Sequence, residues 1–442
     1  MIPHHVKKGL GFHSLVRELS ECFLTIPDAR QPKKVTYSIR DCLMSAMGMM
    51  FLQDPSLLQF QRRMQDEYEA NNLETLFGVS EIPADTQMRV VIDSVSTEKI
   101  AKIFPVYLKL LQRGQHLKNY DFMNGYYLIA LDGSEYFTSE EISCPCCLKK
   151  ESKTGKTRYH HQILQSVLIH PEMRQVIPLA PEPIQNYDGH EKQDCEINAA
   201  KRVIEKIRKS HPKMKIIITG DGLYSKQPFI EALIQEKMSF ILVAKPDDHK
   251  IMYKMIENRD KLDNVRELEV SDDKGNLHIY RWTNGVKLNG NQSTQIVNYF
   301  EYELFNQELD KITYKNSWVT NIVVGKDNVQ DLVRGGRARW KIENETFNTL
   351  KNQGYHIEHN FGHGKNNLSN NFFVLNLLAF FMHEIFQLTE ITYQKARLKI
   401  GTRLEFFNNL RAFMRMQVYV DWTQFIFYVY DPPKARKYYQ HN

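Results

Sequence analysis

A chain of 442 residues is too long for one hydrophobic core of ordinary size, so two to four structural units are expected. Its 42% hydrophobic and 25% charged residues make it globular and exclude a low-complexity or unfolded chain. Lys+Arg 58 against Asp+Glu 52 leaves a formal charge of +6, which permits a nucleic-acid partner without demanding one, since a basic face can coexist with an acidic pocket.

The opening "MIPHHVKKGLGFHSL" lacks the apolar run of a signal peptide, and six cysteines are too few for a disulfide scaffold, so a reducing cytoplasm is the expected compartment. Residues 1–118 read as a helical N-terminal region, from the apolar spacing in "IRDCLMSAMGMMFL" and "KIFPVYLKLLQ". Arg62, Arg63, Arg89, Lys99 and Lys102 suit DNA as a group, while each alone is better explained as solvated helical surface.

From 119 to 246 the texture changes to short apolar runs: "GYYLIALDG", "HQILQSVLIHP", "MKIIITGDG" and "SFILVAK". Between the second and third, "KQDCEINAAKRVIEKIRK" places Ile197, Val203, Ile204 and Ile207 on one helix face. Strands first, then alternation with helices, predict an α/β fold with a mixed sheet, and the order resembles an RNase H-like core. Residues 247–330, with "LHIYRWTNG", "TQIVNYFEYELF" and "NSWVTNIVV", alternate polar with β-branched or aromatic residues and read as a β-rich insertion. "DLVRGGRARWKIENETFNTLKNQ" returns to helix within 331–385, and 386–442 form a helical C-terminal region. The apolar stretch at 371–388 contains Asn376, His383 and Glu384, so it reads as a buried helix rather than a membrane span.

Two apolar runs lead into a carboxylate: "LIALDGSEYF" into Asp132 and "KIIITGDGLYS" into Asp221. Either aspartate alone is best read as the first residue of an Asp-Gly turn at a strand end. Together they suggest carboxylates at neighbouring strand ends. A third acid would allow two divalent ions to be held, because Mg²⁺ takes oxygen ligands. In "RARWKIENETFNTLK", Arg339 and Glu343 share a helix face and Lys351 returns close to it; the plainer reading is an exposed i,i+4 ion pair.

These stretches resemble the DDE transposases of bacterial insertion sequences: "LDGS" is similar to the first-aspartate strand, "TGDGLYS" to the second and "RWKIEN" to the glutamate helix. The resemblance covers roughly residues 125–365, and the order Asp, Asp, β-rich insertion, Glu helix is similar to the hairpin-forming cut-and-paste group with the signature Y-x2-R-x3-E-x6-K. It implies Asp132, Asp221 and Glu343 as catalytic metal ligands for two Mg²⁺ (or Mn²⁺) ions, with Arg339 and Lys351 positioning DNA phosphates. It also implies double-stranded DNA (terminal inverted repeats and target) as partner, and a homodimer in the synaptic complex. There are departures. Gly336 stands at the tyrosine position, Leu350 at the lysine position with Lys351 one later, and Glu345 competes with Glu343 as third acid. An RNase H-like nuclease or resolvase without strand transfer, and a catalytically idle transposase-derived DNA-binding protein, are the competing readings.

Other clusters are weighed against plainer roles. Cys144-x2-Cys147 with His160 and His161 lacks a fourth ligand and the usual histidine separation, and Cys195 could complete a zinc site only if the fold brings it near; free thiols in a loop are preferred. Lys149, Lys150, Lys153, Lys156 and Arg158 form a basic loop suited equally to phosphates or solvent. His356, His359 and His363 read as packing or capping residues rather than DNA contacts, and Trp282, Trp318 and Trp340 as core aromatics rather than stacking platforms for a base.

Overall fold

The computed structural model describes residues 9–31, 33, 35–152, 155–186 and 194–440. The first eight residues of the N-terminal stretch and Lys153 of the basic loop lie outside them.

Twelve strands join one sheet: β1 (Asp121–Phe122), β2 (Tyr126–Ser139), β3 (Leu148–Glu151), β4 (Thr157–Ile169), β5 (Ile177–Pro178), β6 (Glu182–Ile184), β7 (Lys215–Gly220), β8 (Ser239–Val243), β9 (Arg266–Ser271), β10 (Asn276–Lys287), β11 (Ile296–Asn306) and β12 (Lys311–Thr320). Their order is β3-β4-β2-β7-β8-β12-β11-β10-β9, with β1 on β2 and β5 and β6 on β4. β2, β7 and β8 are parallel neighbours and the remaining pairs are antiparallel. Parallel pairing requires crossovers, supplied by the helices Glu196–Ser210 and Gln227–Gln235. Ala199, Ala200, Val203, Ile204 and Ile207 form the buried stripe of the first. This mixed α/β sheet with helical flanks is consistent with the expected RNase H-like fold.

Asp132 corrects one expectation. The "LDGS" stretch does not end a strand: β2 pairs with β4 from Leu128–Ile169 to Ser139–Tyr159, and Asp132 sits mid-strand opposite Gln165. The long partner "TRYHHQILQSVLI" supplies ladder partners past the Asp-Gly pair, and that outweighs the local turn preference. The β-rich segment is a meander that extends the same sheet, through Trp318 of β12 against Val243 of β8.

The helix Val329–Ala338 lies close on that extension. A Cβ on Gly336 would come 2.6 Å from the indole nitrogen of Trp318, so no side chain fits at the position where the resemblance expects tyrosine. Trp318 and Trp282 are buried, Trp318 stacking on Phe300, as expected of core aromatics. Trp340 is not: 42% exposed, it departs from the buried reading because the helix turns it away from the sheet.

The N-terminal helices Phe12–Leu24, Ile39–Phe51 and Ile103–Arg113 and the C-terminal helices Ile391–Ile400, Arg403–Met414 and Trp422–Tyr430 surround the helix Leu368–Thr389 in a continuous core. Phe12 stacks on Trp422 with ring centroids 4.5 Å apart. The helix Leu368–Thr389 is long and apolar enough to cross a membrane by length and composition, yet it is mostly buried in the protein. Its polar residues find partners there, as buried polar groups must: Asn376 donates to the Tyr355 carbonyl, His383 pairs with the Tyr355 hydroxyl, and Glu384 pairs with Arg403. Arg63, grouped above with solvated or DNA-facing cations, is buried between Asp54 and Glu69 and is a packing residue.

Candidate active site

Asp132 and Asp221 come together through strand register. In the parallel pair, Ala130 stands opposite Thr219. Two residues further along each chain, Asp132 and Asp221 are level, the first within β2 and the second just past β7. Asp221 also serves its turn, accepting the Leu223 N–H at 2.8 Å, so the turn reading and a role in a site are compatible.

Glu343 arrives from the helical segment after the β meander. Its carboxylate pairs with Arg339 (Nη1–Oε1 2.6 Å) and is half exposed. Asp132 feels it: the Asp132 carboxyl is pushed up to about 7, first by burial, then by the nearby carboxylates of Glu343, Glu196 and Asp221, with Arg339 acting against them. Glu345 has the Arg174 guanidinium 3.9 Å away, and the largest charges acting on Asp132 are those of Glu343, Glu196, Arg339 and Asp221.

The segment Ile342–Phe347 is a π-helical turn. Such a turn closes from i to i+5 in place of i to i+4 and so holds one residue more than an α turn. One residue is also the excess between Glu343 and Lys351 over the x6 spacing. Leu350 turns into the core, and Lys351 reaches β2, donating to the Glu135 carbonyl at 3.1 Å and pairing with Glu358 at 2.9 Å. Arg339 therefore lies by the carboxylates, while Lys351 lies three residues along β2 from Asp132.

A fourth carboxylate was not anticipated from the sequence. Glu196, at the start of the helix Glu196–Ser210, accepts from the Tyr224 hydroxyl at 2.5 Å and from Gln162 at 3.2 Å, and lies directly over Gly133. A Cβ on Gly133 would overlap the Glu196 carboxylate. Burial raises the Glu196 carboxyl above its usual range. The clue in the sequence was Gly133 itself, a residue that weakens a strand interior unless another group approaches closely.

The remaining candidates separate. Lys156 pairs with Glu140 and Arg158 with Glu135 on the exposed surface. His356 and His359 are exposed. Cys195 is exposed at the start of its helix, away from Cys144, Cys147 and His161, which instead gather around His363.

Asp132, Asp221, Glu196 and Glu343, with Arg339 paired to the last, form a hard-oxygen donor set suited to divalent cations such as Mg²⁺. No curated protein matches this chain. Residues 124–382, more than half of the chain and including Asp132, Asp221 and Glu343, match the family model of the Transposase DDE domain. The chain belongs to the DDE transposase family, whose substrate is DNA and whose chemistry uses divalent metal ions.

Proposed function

We propose that this protein binds the ends of an insertion sequence and cuts and joins DNA strands in cut-and-paste transposition. Asp132, Asp221 and Glu343 serve as catalytic carboxylates and hold two Mg²⁺ (or Mn²⁺) ions. The observation that carries this reading is the level placement of Asp132 and Asp221 on adjacent parallel strands with Glu343 acting on Asp132. Carboxylates crowded until one is driven toward its neutral form call for cationic charge, and Arg339 offsets only part of the crowding.

Divalent ions bound there supply Lewis-acid chemistry for in-line phosphoryl displacement, so no covalent enzyme intermediate is needed. The chain's own groups position the DNA. Arg339, now paired with Glu343, would offer a planar guanidinium fork to the scissile phosphate, and Lys351 a point charge further along β2. Exposed Arg62 and Lys102 give the N-terminal helices a basic surface for end binding, and two chains pair two ends in the synaptic complex.

Metal ligation is worth several kcal/mol of transition-state stabilisation, so D132A, D221A and E343A should each lower Mg²⁺-dependent cleavage by about a thousandfold. Each should still shift end DNA in a gel, and E345A should cleave near the wild-type rate. An active E343A alongside a dead E345A would reassign the third acid.

A further inference from the structure

We infer that the protein carries a structural zinc site, separate from the carboxylate cluster, formed by Cys144, Cys147, His161 and His363. The four ligand atoms lie within 4.8 Å of one another. The Cys144 and Cys147 sulfurs are 3.7 Å apart; His161 Nε2 is 3.4 Å from the first and 3.5 Å from the second, and His363 Nε2 is 3.3 Å from Cys147. A tetrahedral zinc with Zn–S about 2.3 Å and Zn–N about 2.0–2.1 Å sets its sulfurs about 3.8 Å apart and a sulfur and nitrogen about 3.6 Å apart. Those four pairs already stand close to these separations.

The backbone is arranged to match. Cys144-x2-Cys147 has knuckle spacing, and the Cys144 N–H points at the Cys147 sulfur at 3.4 Å while the Cys147 N–H bonds the Cys144 carbonyl. Adjacent histidines on β4 project to opposite faces, which resolves the spacing objection: His161 joins the cysteines, and His160 turns toward Glu135. The fourth ligand comes from 216 residues beyond Cys147, in the loop before the helix Leu368–Thr389. Gly362 and Gly364 flank His363, both at positive φ, and a Cβ on Gly364 would overlap the Asp93 carboxylate. That carboxylate accepts the backbone N–H groups of Lys365, Asn366, Asn367 and Leu368, fixing the loop from outside.

Four protein ligands leave no open position, so the site is structural rather than catalytic. It fastens the segment after β2 and strand β4 to the loop that follows the glutamate helix. Phe137 pairs with His161, which sets the zinc five residues along β2 from Asp132. Soft thiolates and imidazoles select zinc here, whereas the carboxylates select a hard cation.

The test is the metal content of full-length, tag-free protein purified without added metal or chelator. A zinc-to-protein ratio near one is expected, retained in D221A and lost in C147S and H363Q. Zinc removal should lower the unfolding temperature by several degrees. Co²⁺ added to the zinc-free wild type should give the visible bands of a tetrahedral thiolate site, a readout that needs no variant to fold. A ratio far below one with no such Co²⁺ spectrum, or zinc lost in D221A and kept in H363Q, would overturn the assignment.

Discussion

At the scale of single residues, the closest fit in the candidate active site is that of Glu196 over Gly133. Tyr224 and Gln162 hold the Glu196 carboxylate, so it cannot swing aside freely for a new methyl group. G133A should therefore displace Glu196 and disturb Asp132 next to it. We expect cleavage to fall at least about tenfold, roughly 1.4 kcal/mol of barrier, with end binding in gel shifts unchanged; wild-type cleavage by G133A would show that Glu196 is dispensable to the site. Asp132, Asp221 and Glu343 stand out in the sequence because each sits in a local context with its own chemistry: an apolar run broken by a carboxylate, or an Arg–Glu pair at helical spacing. Glu196 has no such context. It opens a helix whose amphipathic stripe accounts for its neighbours, and its approach to Gly133 is fixed only when β2 and that helix pack together. The partners of His363 were hidden for the same reason, since they lie more than two hundred residues away in sequence.

At the scale of elements, the long buried strands and the amphipathic helices were readable from periodicity, and the edge strands were not. "LKKE" of β3 and "RELEVS" of β9 present almost no buried residue, because charged edge strands discourage pairing with other chains and so lose the alternation that marks a strand. The joining of the two helical ends was also illegible. It depends on Phe12 stacking with Trp422, whose indole N–H in turn donates to both oxygens of Glu390 at 3.0 and 2.9 Å. Burial pushes the Glu390 carboxyl up to about 7, and the Trp422 hydrogen bond only partly offsets it. With the folded value above the unfolded one, the folded state binds more protons between the two. The stability this group contributes is thus fully present below its ordinary value near 4.5 and is lost as pH rises through about 7. E390Q keeps an acceptor for Trp422 and removes the charge. It should unfold at higher denaturant than wild type at pH 8, by roughly 3 kcal/mol, with the gap closing toward pH 5; a pH-independent difference would assign the effect to packing instead.

At the scale of the whole molecule, the proposed function makes the excision pathway depend on how a distorted DNA end is held. A hairpin forms when the freed 3′-hydroxyl attacks the opposite strand, which requires a sharply bent end and usually a base flipped out against protein groups that offset the unstacking. The signature tyrosine belongs to that apparatus, and here its place is closed by the sheet: Trp318 fills the space beside Gly336, so no aromatic residue can be restored there without moving β12. Trp318 and Trp282 are themselves buried and offer no face to a base. Trp340, exposed next to Arg339 with Lys341 over its ring, is the one of these three tryptophans open to solvent, and it projects from the glutamate helix rather than from the β meander. A single open platform on the glutamate helix, without the tyrosine, holds a flipped base less firmly than two groups would. We therefore expect double-strand excision in which hairpin ends are short-lived. Denaturing gels of products from end-labelled DNA should show nicked and fully cleaved strands with little material at twice the strand length, and W340A should slow second-strand cleavage more than the first nick. Abundant, slowly resolved hairpins in the wild type would mean that the end is gripped by groups other than these aromatics.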